Sequence, residues 1–517
     1  MAFPMAVQLQ WSQIQHTPMF HNPYSISLLF SLLLLLLCLN RVWARKSINL
    51  PPSPPKLPII GHLHLLGALP HRSCQTLSKK YGPLILLKLG KIPTLVVQSA
   101  ETAKEIMKTH DIFFANRPSI TASKHFVYDG KDITFAPYGE YWREMRKVCV
   151  LELLSIKRVQ SFRYVREEEI SNMLNEIKDA TLLQKEVNLS ELLLTVTSNV
   201  ISRVALSKRL GNSVYGELAK KGLKLFGHPS VEDMFPSLKW IDVLTGLDRR
   251  MRTTSTKLLQ FFDDVIDEHL MARKNNSDHT DRRDFVDLLL EFEYNLGLTG
   301  AEFTRENLKG VLMDMFVAGT DTSYVTLEWA MAELVNHPNV MKKLQHEIRR
   351  VVGNTKYRVD ENVINQMDYL NGVIKEVLRM HPPGVLSVPR ESSASVVIEG
   401  YTIPTKTRVL VNLWAIGRDP KIWEKADEFI PERFINNPID FRGQNFNYIP
   451  FGAGRRGCPG ISFAVVSIES ILANLLYWFD WELPGGEDKK GADMTEVFGL
   501  TVGMKYPLHL VPKCHNF

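Results

Sequence analysis

Three stretches of this chain put reactive side chains where ordinary packing does not ask for them. The first is Pro450–Gly460, PFGAGRRGCPG. It sets one thiol, Cys458, among glycines, behind Arg455 and Arg456 and just before an apolar run. Pro459 suits the first turn of a helix, where its missing N–H is not needed, so Ile461–Phe479 is expected to continue as helix. Cys458 then faces unpaired N–H groups at a helix N-terminus, and the arginines add positive charge. These features favour thiolate, the form that ligates metals. The glycines let backbone come close to something flat and bulky. The second stretch is Ala318–Ser323, AGTDTS, in the middle of a helical pattern running from Thr304 to Asn336. Glycine inside a helix costs about 1 kcal/mol against alanine, and Thr, Asp and Ser compete with the backbone for hydrogen bonds. Such a conflict inside a long consistent element marks a functional site. The third is Glu376 and Arg379, three apart on one face of a helix expected over Tyr369–Met380. Alone, that pair is worth about 0.2–0.5 kcal/mol on a solvated surface.

Together with Phe429-Ile430-Pro431-Glu432-Arg433-Phe434 and a proline-rich stretch near Pro51, these motifs stand in the order and spacing of the cytochrome P-450 monooxygenases. The chain resembles the plant microsomal (A-type) members from Pro51 to about Pro512. The resemblance implies a mainly α cytochrome P-450 fold, a large helical part with a small β-rich part, behind an N-terminal transmembrane anchor. It implies haem b as cofactor, with Cys458 as axial metal ligand; thiolate pushes electron density to the iron and favours O–O cleavage. In it Asp321 and Thr322 are the catalytic pair, an acid and an alcohol that deliver protons to dioxygen. Gly319 would let a ligand approach the helix backbone.

Trp142 and Arg146, four apart on a helix starting near Tyr141, share one face. By resemblance they bind haem with Arg390, Phe451, Arg456 and Gly460, the arginines suiting paired carboxylate oxygens. Glu376, Arg379 and Arg433 would lock as a structural triad behind the haem loop. The implied substrate pocket takes in Phe126, Phe226, Ala318, Val385, Ser387 and Phe498. Ser387 departs from relatives that often carry an apolar residue there. The implied reaction inserts one atom of dioxygen into a lipophilic terpenoid, alkaloid, coumarin or other phenolic, with electrons from NADPH through NADPH–cytochrome P-450 reductase. A reductase-independent dehydratase or isomerase, and a non-enzymatic membrane-anchored haem protein, are the alternatives. The Asp321-Thr322 pair speaks against both.

The elements that must position these residues follow from pattern. Leu84–Val97 reads as two short strands around Lys91-Ile92-Pro93. Ser119–Ile133 reads as irregular, and Glu167–Lys274 as mostly helical with a break over Phe226–Trp240. The helix of Thr304–Asn336 would span roughly 48 Å. Ile461–Phe479 is apolar, but Ser462, Ser467, Glu469, Ser470 and Asn474 make it a buried core helix rather than a second span. At the N-terminus, residues 1–49 read as leader and anchor, with a span over about 24–40 followed by Arg41, Arg45 and Lys46. Positive charge on that side keeps it cytoplasmic, which gives a single-pass protein; the resemblance to the microsomal members implies the endoplasmic reticulum membrane. Residues 50–61 form a stiff proline-rich hinge, and 62–517 the catalytic domain. The 62 basic and 56 acidic residues form no basic block, so nucleic acid is excluded as a main partner. Five scattered cysteines exclude a disulfide scaffold or zinc site.

Overall fold

The computed structural model describes residues 49–516 apart from 212, 275–282, 298–302, 355–357 and 486–490, together with 27, 28 and 30–32. Most of the expected membrane span therefore lies outside the described residues. The chain divides into two units, one comprising 1–50 with Gly400–Thr402 and the other Pro51–Glu399 with 403–517. Everything that follows concerns the second.

Its helical part includes α1 (Glu140–Val148), α2 (Arg163–Leu182), α3 (Leu189–Leu206), α4 (Val214–Phe226), α5 (Leu247–Lys274), α6 (Arg305–Asn336), α7 (Pro338–Val352), α8 (Asp368–Met380) and α9 (Ile461–Trp478), with further helices such as Pro70–Tyr81 and Phe285–Gly297. The long central helix α6 starts one residue after the expected position. Thr304 is its N-cap, its N–H and hydroxyl both donating to Asn307 Oδ1, and Pro338 opens the next helix. α3 and α9 are both long and apolar enough to cross a bilayer, yet 72% and 67% of them are buried. They are core helices, as expected for α9.

The largest sheet runs β1–β2–β4–β3, with β1 Leu84–Leu89, β2 Ile92–Val97, β3 Arg390–Glu391 and β4 Arg408–Val411. β1 and β2 are antiparallel, β2 and β4 parallel, and β3 closes antiparallel on β4. The first turn is Gly90-Lys91, with Gly90 at φ +61°. Ile92 and Pro93 belong to β2, opposite Leu89 and Lys88, because the positive φ falls to the glycine.

The proline-rich stretch expected as a stiff hinge, Pro51–Gly61, packs against its neighbours. Pro52 accepts a hydrogen bond from Leu86 N–H at 3.0 Å, Pro54 from the His62 ring at 2.9 Å, and Pro51 and Pro54 are buried. The strand edge offers donors that the prolines' carbonyls can still take. The segment 119–133 contains a short helix, Thr121–Phe126. α9 begins at Ile461 with Gly460 as N-cap, so Pro459 lies just outside the helix rather than in its first turn.

Candidate active site

The loop 450–460 and α6 line a common cavity of about 310 Å³. The loop is held by Cys458 N–H donating to Phe451 O at 2.9 Å. Gly454, at φ +70°, packs so closely that a Cβ there would lie 2.0 Å from Met107 O. Cys458, Gly460 and Phe451 line the cavity, facing Ala318, Thr322 and Ser323 of α6. The walls are largely apolar, with Ile133, Leu154, Ile201, Met315, Leu378 and Leu413 among them.

Burial pushes the Cys458 thiol up, and the Gly460 N–H and the Arg146 charge only partly offset this. The arginines and helix end thus do not make a thiolate on their own. Arg455 points elsewhere, to Asp111 at 3.2 Å.

Four guanidiniums line the same cavity: Arg117, Arg146, Arg390 and Arg456. Arg456 donates to the carbonyls of Ala115, Ile133 and Ala136. Arg146 donates to Gly457 O at 2.5 Å, and Arg390 to Asp111 at 2.8 Å and Ala453 O at 2.9 Å. Arg117 donates to Thr134, Val388 and Pro389 carbonyls. Burial holds all four below the usual arginine range; repulsion from neighbouring guanidiniums adds to it at Arg117, Arg146 and Arg456, whereas Asp111 partly offsets it at Arg390, and Arg456 is pushed down to about 9. Carbonyls supply partial charge only, so the cluster is short of anions. Trp142 is buried but does not line the cavity. Its indole N–H is taken by Ile133 O at 2.9 Å, and its ring backs Arg456 at 4.2 Å and Arg146 at 5.6 Å.

On α6, the Thr322 hydroxyl donates to Ala318 O at 2.6 Å. Asp321 faces away from the cavity and accepts from the Thr501 hydroxyl at 2.7 Å. The space above Gly319 is used by the protein itself, since a Cβ there would sit 2.9 Å from the Ile201 side chain of α3. That glycine permits a close helix crossing rather than the approach of a ligand alone.

Outside the cavity, both Glu376 oxygens bind Arg379 at 2.8 Å, and Arg433 reaches Glu376 at 3.0 Å. Arg379 also donates to the carbonyls of Gly417 and Ala426.

Of the expected pocket residues, Ala318 and Ser387 line the cavity. Phe126 and Phe226 do not. Their rings pack on each other at 5.6 Å, and Phe226 packs equally on Phe135. Val385 turns into a small core with Trp414 and Val502. Phe498, 39% exposed, stacks on His71.

Sequence reasoning missed Arg117, whose one signal is a lone charge just after the apolar run Ile112–Ala115. It also missed Asp314, which lines the cavity and takes the N–H groups of Ile133 and Thr134 at 2.8 and 3.0 Å. Burial raises both Asp314 and the adjacent Asp132; Asp314 raises Asp132 further, while hydrogen bonds from Ile133, Thr134 and Asp132 partly offset the rise of Asp314, which stands at about 6.

A thiol at the helix entrance, four cations suited to two carboxylates and a glycine-lined wall form a donor set that fits haem. The sequence profile of the family described as Cytochrome P450 matches residues 51–508. The chain belongs to the cytochrome P450 family. This P450 is 56% identical over 461 residues to Cytochrome P450 71A1 of Persea americana, covering 88% of this chain and 91% of that one. It is 47% identical to the phenylacetaldehyde oxime monooxygenase CYP71AN24 of Prunus mume over 97% of both chains. It is 45% identical to the strychnine-11-hydroxylase of Strychnos nux-vomica over 95% and 98%. A zebra fish cytochrome P450 solved with abiraterone shares the fold, with TM-score 0.70 and 24% identity, covering 87% of this chain and all of that one. The P450 is thus a plant-type monooxygenase with haem as cofactor, and it needs a redox partner, an oxidisable substrate and dioxygen.

Proposed function

We propose that this P450 hydroxylates or otherwise oxidises a lipophilic small molecule of plant specialised metabolism, with electrons from NADPH–cytochrome P-450 reductase at the endoplasmic reticulum membrane. The observation that carries the reading is the Cys458 thiol in an apolar cavity, facing Thr322 and flanked by four arginines. Relatives named for an oxime and for strychnine point to the same compound classes. The bound haem supplies dioxygen activation.

The chain's own residues do the rest. Cys458 would hold the haem iron as thiolate, the metal offsetting the burial that raises the free thiol. Arg146, Arg390, Arg456 and Arg117 hold the carboxylates of the cofactor. The apolar walls exclude water and select a lipophilic substrate, while the Ser387 oxygen accepts from Val411 N–H and leaves its own proton for a polar substrate group. Thr322, rotated off the Ala318 carbonyl, donates a hydrogen bond into the cavity, and Asp321 resupplies the proton.

The test is the difference spectrum of the reduced holoenzyme with carbon monoxide minus the reduced holoenzyme without it, beside Cys458→Ser, followed by turnover with reductase and NADPH. A Soret band near ~450 nm, lost in the variant, is expected for thiolate ligation. A folded, haem-loaded protein without that band refutes the ligand assignment. Product formed without NADPH points to the dehydratase alternative.

A further inference from the structure

The C-terminal hairpin, β5 (Glu496–Phe498) and β6 (Val502–Met504), lies along α6 and is tied to it at several points. Trp329 Nε1–H donates to Val502 O at 3.0 Å. Met504 N–H donates to Glu328 at 3.4 Å. Val502 N–H donates to Pro383 O at 3.0 Å, just after α8. The turn between the strands is closed by Gly499 N–H donating to Thr501 O at 3.0 Å. It is also wedged from the other side. A Cβ on Gly227, just past the end of α4, would lie 2.3 Å from Leu500 N. Thr501 is therefore held at a fixed place over α6. Its hydroxyl donates to Asp321 Oδ2 at 2.7 Å, the one side-chain hydrogen bond to Asp321 among the described residues.

We propose that Thr501 is a positioning residue for Asp321, holding one carboxylate oxygen so that the other is presented to water for proton pick-up. The inference rests on the proposed role of the Asp321-Thr322 pair. A carboxylate has two oxygens and several lone pairs, and a single fixed donor selects one of them. Threonine keeps its own proton throughout, and Asp321 takes a proton from water and passes it towards Thr322. Each cycle returns both side chains to their starting state.

The charge environment agrees with this placement. Burial raises the Asp321 carboxyl, and the Thr501 hydroxyl lowers it by stabilising the ionised form. The other titratable groups facing Asp321 are Tyr324 and Glu328, one and two turns further along α6. Glu328 is itself occupied by Ser190 of α3, by Tyr324 and by Met504 N–H. Thr501 is therefore the group that favours the ionised form of Asp321 against the effect of burial.

The experiment compares Thr501→Val, which keeps the shape and removes the donor, with Thr501→Ser, which keeps the donor. Asp321→Asn and the double variant serve as references. All are full-length holoenzyme, and a normal carbon-monoxide spectrum is required of each. The first readout is the infrared titration of the Asp321 carboxyl band, identified by its loss in Asp321→Asn. Thr501→Val is expected to move it up by about one pH unit, with Thr501→Ser close to the parent. The second readout uses dioxygen as the probe, with reductase and NADPH and no added substrate, and measures peroxide released per NADPH. Thr501→Val should raise that share towards the level of Asp321→Asn, and should add nothing in the Asp321→Asn background.

An unchanged peroxide share in Asp321→Asn sinks the proton-delivery role itself. A changed share in Asp321→Asn with none in Thr501→Val sinks the positioning role alone. A moved infrared titration with an unchanged peroxide share reduces the contact to packing and also overturns the proposal.

Discussion

Two clusters of buried charge in this molecule are built on opposite plans. In Glu376, Arg379 and Arg433 the charges are matched within the protein. Glu376 and Arg379 are fully buried, and every contact is short and directional. In Arg117, Arg146, Arg390 and Arg456 the cations outnumber the protein's own anions. Asp111 faces Arg390, while Asp132 is raised by burial and by Asp314 and contributes little negative charge. A closed cluster is complete when the chain folds. An open one is completed by what binds, and a dianion is what four guanidiniums around a cavity lack.

The sharpest way to break the comparison is to open the closed cluster. Arg379→Ala leaves Glu376 buried without its main partner, at a cost of about 3–5 kcal/mol. Haem-loaded protein should then fail to accumulate, and Arg433→Ala should lose haem to a lesser degree because Arg433 is partly exposed. Normal haem content and an unaltered unfolding midpoint in Arg379→Ala would mean that the triad is not a lock.

A smaller effect is expected in the open cluster. Arg456→Met should weaken haem retention by about 1.5–3 kcal/mol, the worth of hydrogen bonds to a charged group. Transfer of haem to an excess of apomyoglobin measures it. Equal release rates in variant and parent would remove Arg456 from the proposed haem site.

The smallest effect concerns the carboxyl pair beside the arginines. Asp314 titrates at about 6 when folded against an ordinary 3.8, so the folded protein holds that proton more tightly. Its stabilising contribution is complete below about pH 4 and is lost as the pH rises through about 6. Asp314→Asn keeps an oxygen for the Ile133 and Thr134 N–H groups but does not titrate. Its unfolding midpoint should vary less between pH 4 and 6 than that of the parent. Parallel curves would show that the pair does not share a proton.

What could be read before folding was local. Cys458 and its glycines, the i, i+3 pair Glu376–Arg379 and the long pattern of α6 are short-range arrangements fixed by backbone geometry. The boundaries found for α6 and α8 lie within a residue of those expected. Expectations drifted where a residue's role depends on which way a loop turns. Phe126, Phe226, Val385 and Phe498 have the chemistry of a pocket wall, but each has a better apolar or aromatic partner elsewhere.

The amino-acid sequence by itself determined the reactive thiol, the alcohol–acid pair, the ion pair on α8 and the helix that crosses the site. Spacings of two to four residues carry their geometry with them. Only the tertiary structure decided that Arg117 joins the cavity, that the empty side of Gly319 belongs to Ile201, and that Asp321 is held by Thr501 from 180 residues away. Such contacts depend on how whole elements dock, and docking is set by the sum of many packed side chains rather than by any spacing along the chain.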